Sequence, residues 1–173
     1  CNLILRGNVT HCLRSQSYFL DNNTYLDSGP GTDEDAILML LTSRSNDQRQ
    51  QIKAAYKKSY GKELVSALKS ELGGLFEDLI VALMTPPVSY DAAQLRKALK
   101  GAGTDDQVLI EILASRTSEQ LKEIIKVYKK DCGGKLEKDI CGDTSGHYRD
   151  LLVMLLQVQT HLAFLDNEKR GDD

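Results

Sequence analysis

An internal repeat is the feature of this sequence that most constrains its fold. Shifting the chain by 72 residues aligns Gly29–Met84 with the later stretch 101–156 without a gap, and 19 of the 56 paired positions are identical. Most of the remaining pairs exchange residues of similar character, such as Glu71 with Asp143. A repeat of this length indicates two copies of one supersecondary unit, each packed by the same residues.

Both copies of the repeat carry the signals of α-helices and lack the alternation that is typical of β-strands. Gly61 and Gly133 follow helical apolar patterns and fit C-terminal caps. Apolar helices are expected over Leu75–Met84, over Tyr148–Leu156 and, ahead of the second loop, over Tyr90–Leu99. The pairs that fit a capping box are Thr32 with Asp35, Ser45 with Gln48, Thr104 with Gln107 and Thr117 with Gln120. The sequence therefore predicts an all-α fold.

The repeat divides the chain into four expected segments. The stretch before Gly29 does not match Tyr90–Lys100, so the first copy lacks its first helix. The tail after Gln157 matches nothing inside the chain. We therefore expect an atypical segment at 1–28, an incomplete repeat at 29–86, a complete repeat at 87–158 and a divergent tail at 159–173.

Composition and charge argue against several classes of function. The net charge of −3 and the absence of Trp disfavour nucleic-acid binding, which needs a basic surface. The four cysteines include no CxxC pair, so a zinc site is disfavoured and free thiols are expected. Neither a signal peptide nor an apolar run of about 18 residues is recognisable. We therefore expect a cytoplasmic protein without a membrane-spanning helix.

The histidines of the chain do not indicate an enzyme. His11, His147 and His161 have no nucleophile or acid that recurs with them in the repeat. His147 follows Asp143 by four residues, but its counterpart in the first copy is Leu75, so the proximity is interpreted as incidental. We expect no catalytic residues and no enzymatic activity.

A two-glycine loop and a distant acidic residue recur together. Gly31 precedes Glu71 by 40 residues, and Gly103 precedes Asp143 by the same 40 residues. Glycines let main-chain carbonyls approach one point, and the loop follows a helix end, where carbonyls lack partners. Carbonyls with one carboxylate are hard oxygen ligands of the kind that Ca2+ takes. The pattern also fits a plain helix connection with a cap, so the spacing leaves both interpretations open.

The loop and the acid resemble the signature of the annexin family, a K-G-x-G-T loop followed at this spacing by an acidic residue. The second copy contains "KGAGT" at Lys100–Thr104 and "GDTSG" at Gly142–Gly146. The likeness covers roughly residues 29–157. It implies annexin-like five-helix repeats, one complete and one lacking its first helix. It also implies calcium-dependent binding to anionic, phosphatidylserine-rich membranes by a protein that becomes peripheral on the membrane when calcium rises.

The resemblance also implies which residues bind Ca2+. In the second copy the carbonyls of Leu99, Gly101 and Gly103 would act with the carboxylate of Asp143. The ligands implied for the first copy are the carbonyls of Asp27, Gly29 and Gly31, the Glu71 carboxylate and, in a minor site, the Thr32 carbonyl and Glu34. Asp91 and Arg116 resemble a pair that the family buries within a repeat, which implies a structural role.

The chain departs from the family pattern in ways that weaken the first site. Annexins have four repeats, so a chain of about half that length is expected to be a truncated or alternatively spliced form, or the product of a mistaken gene model. Such a chain should expose apolar surface, and either self-association or poor stability would follow. Ser28 stands where the Lys of the loop belongs, and Pro30 biases Gly29 toward extended geometry. The alternatives are a calcium-independent helical-repeat scaffold that binds another protein, and a truncated isoform without function.

Overall fold

The computed structural model describes residues 34–100 and 103–169, and in these residues it contains helices and no β-strand. Side chains are described as far as Gln157, except that of Ala36. The chain divides between Pro86 and Pro87 into two compact units, which we name unit 1 and unit 2. The prediction of an all-α fold is therefore confirmed for the part of the chain that the structure describes.

Nine helices lie in the described residues. Unit 1 contains α1 (Glu34–Thr42), α2 (Asn46–Tyr60), α3 (Leu64–Glu71) and α4 (Gly74–Met84). Unit 2 contains α5 (Pro87–Leu99), α6 (Asp106–Ser115), α7 (Ser118–Cys132), α8 (Leu136–Asp143) and α9 (Gly146–Lys169). The bounds of α2 and α3 recur 72 residues later in α7 and α8, so the two copies of the repeat fold in the same way.

Paired caps at equivalent positions explain why these helix ends recur. The Gln48 N–H donates to the Ser45 hydroxyl at 3.2 Å, and the Ser45 N–H donates to the Gln48 side chain at 2.9 Å. Thr117 and Gln120 form the same reciprocal pair at the start of α7. The glycines after α2 and α7 have φ of 67° and 68°, in the left-handed region that suits a helix end. These two capping boxes and both glycine caps are confirmed.

Two helices of unit 2 extend beyond their expected bounds. The helix α5 begins at Pro87 rather than at Tyr90, because the fixed φ of proline suits the first helical position. The helix α9 continues to Lys169, well past the expected end at Leu156. In unit 1 the equivalent helix stops at Met84 because two prolines follow it. No helix in the described part of the chain is both long and apolar enough to cross a membrane.

The same apolar positions fill the core of each unit. Eight pairs of residues that lie 72 positions apart are buried, namely Ile37/Leu109, Leu41/Leu113, Ile52/Ile124, Tyr56/Tyr128, Leu64/Leu136, Leu68/Ile140, Ile80/Leu152 and Met84/Leu156. In unit 2, Ala92, Leu95, Ala98 and Leu99 of α5 join this core. Burying a Leu side chain fully contributes about 1.5–3 kcal/mol. The helix α5 therefore contributes buried apolar surface to unit 2 that has no counterpart among α1–α4.

A partly buried ion pair attaches α5 to the end of α6. Arg116 donates from Nε to Asp91 Oδ2 at 2.5 Å and from Nη2 to Asp91 Oδ1 at 3.0 Å. The Asp91 side chain is only 8% exposed, and its hydrogen bond raises the pKa of Arg116. The structural role predicted for this pair is confirmed. In unit 1 the equivalent arginine is Arg44, whose buried Nη2 makes no hydrogen bond within the described residues.

A cluster of three polar side chains in unit 2 links α5, α7 and α8. The hydroxyl of the buried Tyr128 donates to Asp139 Oδ2 at 2.7 Å, and Arg96 Nη1 donates to the same oxygen at 2.9 Å. Burial, with a smaller effect of Asp139, raises the pKa of Tyr128 to about 12. The phenol therefore stays a hydrogen-bond donor at neutral pH. These three side chains hold α8, which ends at Asp143, against α5 and α7.

The two equivalent arginines should respond differently to the same substitution. We expect Arg116→Met to lower the free energy of unfolding by about 2–4 kcal/mol, because it leaves the buried Asp91 carboxylate without its partner. We expect Arg44→Met to change it by less than about 0.5 kcal/mol, because no described carboxylate pairs with Arg44. Urea unfolding followed by circular dichroism measures both variants. Equal losses at the two positions would contradict this account of the pair.

Candidate metal centre

Main-chain hydrogen bonds close the loop between α5 and α6. The Asp105 N–H donates to the Ala98 carbonyl at 3.1 Å, and the Lys100 N–H donates to the Lys97 carbonyl at 3.4 Å. Gly103 has φ of 101°, a conformation that residues with a Cβ rarely adopt. The loop thus turns sharply at the C-terminal end of α5, where helix carbonyls lack partners and the helix dipole is negative.

Two of the predicted carbonyl ligands lie at the ends of this loop. No main-chain N–H within the described residues donates to the carbonyl oxygen of Leu99 or of Gly103. Leu99 ends α5 with its side chain in the core, so its main chain is held in place, whereas Gly103 is exposed. Gly101, the third predicted carbonyl ligand, lies outside the described residues. Two carbonyl oxygens are therefore available for a ligand in this loop.

The predicted carboxylate ligand, Asp143, is the last residue of α8. The Thr104 hydroxyl donates to the main-chain carbonyl of Asp143 at 3.0 Å, and this bond joins residues that are 39 positions apart. The Asp143 side chain is exposed. Its carboxylate forms no ion pair or hydrogen bond among the residues that the structure describes. The structure therefore brings the acid and the loop to the same end of unit 2.

A second hydrogen bond holds this end of unit 2 together. Tyr148, in the first turn of α9, donates its hydroxyl to the Asp106 carbonyl at 3.3 Å, at the start of α6. Burial, followed by the nearby Asp106, raises the pKa of Tyr148 to about 12, so the phenol remains protonated at neutral pH. The starts of α6 and α9 are therefore fixed to each other beside the loop. The equivalent residue of unit 1 is Phe76, which lacks the hydroxyl.

The capping box predicted for Thr104 and Gln107 is wrong. Asp105 is the N-cap of α6, and its side chain accepts from the Val108 N–H at 3.3 Å. The cap lies one residue later than predicted because Asp is itself a strong N-cap residue. This arrangement leaves the Thr104 hydroxyl to bond with the carbonyl of Asp143.

Most residues predicted for the first site lie outside the described part of the chain. These residues are Asp27, Gly29, Gly31 and Thr32, and Thr32 is also the first member of the capping box with Asp35. Glu34 is the first residue of α1 and is exposed. Glu71 is the last residue of α3, as Asp143 is of α8, and it is half-buried. Glu34 and Glu71 thus lie at helix ends equivalent to those that carry Asp106 and Asp143 in unit 2.

The oxygen atoms gathered in unit 2 fit a hard cation. Main-chain carbonyls and carboxylates are the ligands that Ca2+ takes in proteins. No group of three or more His, Cys, Asp or Glu residues suited to a metal occurs within 34–100 and 103–157, where side chains are described. The predicted ligand set needs only one carboxylate, so binding at this loop would depend chiefly on main-chain oxygens.

Sequence reasoning missed the roles of two residues that organise this end of unit 2. Thr104 recurs as Thr32 in the repeat, and this identity was a usable signal that was interpreted only as a cap. Tyr148 had no such signal, because its counterpart Phe76 cannot form the hydrogen bond. Both roles depend on contacts between segments about 40 residues apart, which local patterns do not encode.

Comparison with known sequences identifies one family. The family model named Annexin matches residues 25–83 and 90–155 of this chain. Annexin A5 of Macaca fascicularis is 60% identical over 129 residues, which cover 75% of this chain and 40% of that protein. The chain thus spans about two fifths of the length of the annexin A5 sequences that it matches.

Comparison with solved structures agrees with the sequence match. Chicken annexin V is similar with a TM-score of 0.73 and 47% identity, over 88% of this chain and 45% of the annexin V chain. Annexin (Sm)1, solved with calcium bound, is similar with a TM-score of 0.68 and 32% identity. The similarity to annexin (Sm)1 covers 88% of this chain and 42% of the other. The helical-repeat fold is therefore confirmed as that of annexin structures.

Removing the Thr104 hydroxyl should loosen the loop without unfolding unit 2. We expect Thr104→Val to weaken the protection of the Asp105 amide by about 1 kcal/mol, because the hydrogen bond to Asp143 is lost. Hydrogen–deuterium exchange of the loop amides measures this effect. The control is Thr42→Val, which removes a hydroxyl bonded to Leu38 within unit 1. Equal exchange of the Asp105 amide in both variants would contradict the role given to Thr104.

Proposed function

Because the chain belongs to the annexin family, we propose that it binds Ca2+ and, through Ca2+, anionic phospholipid membranes. The observation that carries this proposal is the hydrogen bond from Thr104 to the Asp143 carbonyl, which holds the acid beside the loop. The calcium-bound structure of annexin (Sm)1, a protein 32% identical to this chain, supports it.

The proposed ligands in unit 2 are the main-chain carbonyls of Leu99, Gly101 and Gly103 and the carboxylate of Asp143. Three carbonyls and a bidentate carboxylate supply about five of the six to eight oxygens that Ca2+ takes. The remaining positions are open to water or to an oxygen of another molecule. Bound there, Ca2+ supplies a positive charge that accepts a phosphate or carboxylate oxygen of a lipid headgroup.

The charge of the chain explains why the cation is needed. The net charge of −3 gives no general attraction to an anionic membrane. Adhesion to phosphatidylserine should therefore be weak without Ca2+. Since both ligands act at one site, each should raise the affinity for the other by the same factor.

Unit 1 is proposed to hold a weaker site of the same kind. Its ligands would be the carbonyls of Asp27, Gly29 and Gly31 with the Glu71 carboxylate, and a minor site would use the Thr32 carbonyl and Glu34. Ser28 and Pro30 depart from the loop sequence of unit 2, and Phe76 lacks the hydroxyl of Tyr148. Unit 1 therefore lacks the loop sequence and the hydroxyl that are present beside the proposed site of unit 2.

The remaining attributes of the protein follow from this function. We infer a binding protein rather than an enzyme, located in the cytoplasm and peripheral on membranes when calcium rises. Residues 29–86 and 87–158 would act as annexin repeats between the segments 1–28 and 159–173. Exposed apolar residues of unit 2, among them Ile110 and Leu151, are proposed to support self-association.

Losing the Asp143 carboxylate should weaken membrane binding at an unchanged fold. We expect Asp143→Asn to raise the Ca2+ concentration for half-maximal binding by about tenfold or more, because loss of a direct ligand costs at least as much as loss of its supports. The measurement is co-sedimentation with phosphatidylserine vesicles across a Ca2+ series, with circular dichroism as the fold check. Asp131→Asn, which neutralises an exposed acid on α7, is the matched control.

The same assay distinguishes the proposal from a calcium-independent scaffold. The exposed apolar side chains on α6 and α9 favour the scaffold, because they offer a surface for another protein. Binding that is lost in EDTA supports the calcium bridge. Binding by Asp143→Asn that is as calcium-dependent as that of the parent chain would refute the ligand assignment. A folded sample that never binds vesicles would favour the scaffold or a form without function.

A further inference from the structure

Leu75 is the most exposed large apolar side chain in the described residues, with 88% of its surface accessible. It is the second residue of α4 and directly follows Gly74, whose φ is 59°. Single exposed apolar residues are common on protein surfaces, so exposure alone does not identify a function. The position of Leu75 in the repeat provides the evidence for its function.

Main-chain hydrogen bonds lie on both sides of the turn that carries Leu75. The Leu72 N–H donates to the Leu68 carbonyl at 2.9 Å, and the Glu77 N–H donates to the Gly73 carbonyl at 3.3 Å. Leu72 is buried, so the chain is anchored in the core three residues before Leu75. Leu75 is therefore exposed on the turn that joins α3 to α4.

Repeat symmetry puts this turn at the metal-binding end of its unit. Leu75 follows Glu71 by four residues, as His147 follows Asp143. In unit 2 the hydrogen bond from Thr104 to Asp143 shows that the end of α8 meets the loop. By equivalence, the end of α3 and the turn with Leu75 lie at the end of unit 1 that carries the proposed site.

We propose that Leu75 inserts into the membrane beside the calcium bridge. This inference rests on the proposed function, since a bridging Ca2+ would hold unit 1 at the depth of the lipid headgroups. An apolar side chain that protrudes at that depth reaches the acyl boundary, where its surface leaves water. The partner is therefore a phospholipid bilayer, contacted by its headgroups at the cation and by its acyl chains at Leu75.

The absence of tryptophan provides a direct test of insertion. The chain contains no Trp, so Leu75→Trp introduces a single fluorescent reporter at the turn. With phosphatidylserine vesicles and Ca2+, we expect its emission to shift to the blue and its quenching by acrylamide to fall. The matched control is Met154→Trp, at a side chain that is 60% exposed and eight residues into α9, about 12 Å from its start. The control reporter should stay exposed to water.

Affinity variants test the energetic part of the proposal. We expect Leu75→Ser to weaken calcium-dependent vesicle binding about tenfold, because burial of a leucine side chain is lost. Met154→Ser should leave binding unchanged. His147→Leu gives unit 2 the residue of unit 1 and should strengthen binding several-fold. Circular dichroism establishes that each variant is folded.

The outcomes separate this inference from the function on which it rests. If the parent chain binds vesicles with Ca2+ and the reporter at 75 neither shifts nor gains protection, the insertion is refuted and the calcium bridge stands. Equal shifts with Ca2+ and with EDTA would also refute it, because insertion would not depend on the bridge. If the parent chain fails to bind at all, both proposals are overturned.

Discussion

Burial of the same eight apolar positions in both units is the constraint on which the rest of the structure depends. These positions lie 72 residues apart and fix which face of each helix points inward. Once the faces are fixed, the caps at Ser45 and Thr117 determine where the longest repeated helices begin. The connecting loops are then assigned to definite ends of each unit. The candidate site is thus a consequence of core packing, because it consists of helix ends that the core brings together.

The site in unit 2 depends on polar contacts that the core alone does not provide. Tyr128, Asp139 and Arg96 hold α8 against α5, whose last residue begins the loop. Thr104 then joins the loop to the end of α8, and Tyr148 joins α9 to the start of α6. Each contact satisfies a main-chain or side-chain group and leaves the Asp143 carboxylate unused. A surface cation site needs both kinds of oxygen: some accept hydrogen bonds that hold the site together, and others remain available to bind the cation.

The sequence predicted the fold more fully than the site. Capping boxes, glycine caps and apolar spacing are local signals, and they gave the all-α repeat and most helix ends correctly. The error at Thr104 arose because Asp105 competes for the same cap, and the outcome depends on a partner 39 residues away. The extension of α9 to Lys169 was missed because repeat matching stops where the copies diverge, whereas the helix does not. Long-range contacts are the feature of the structure that could not be predicted from one sequence.

The two units began from one pattern but no longer have equal supports. Arg116 has the buried Asp91 as its partner, whereas the buried Nη2 of Arg44 makes no hydrogen bond within the described residues. Tyr148 donates a hydrogen bond beside the loop, while Phe76 cannot. A cation site made of main-chain oxygens is only as precise as the backbone that carries it, so these losses fall on unit 1. The proposed insertion of Leu75 would add apolar contact with lipid to the less supported cation site that is proposed for unit 1.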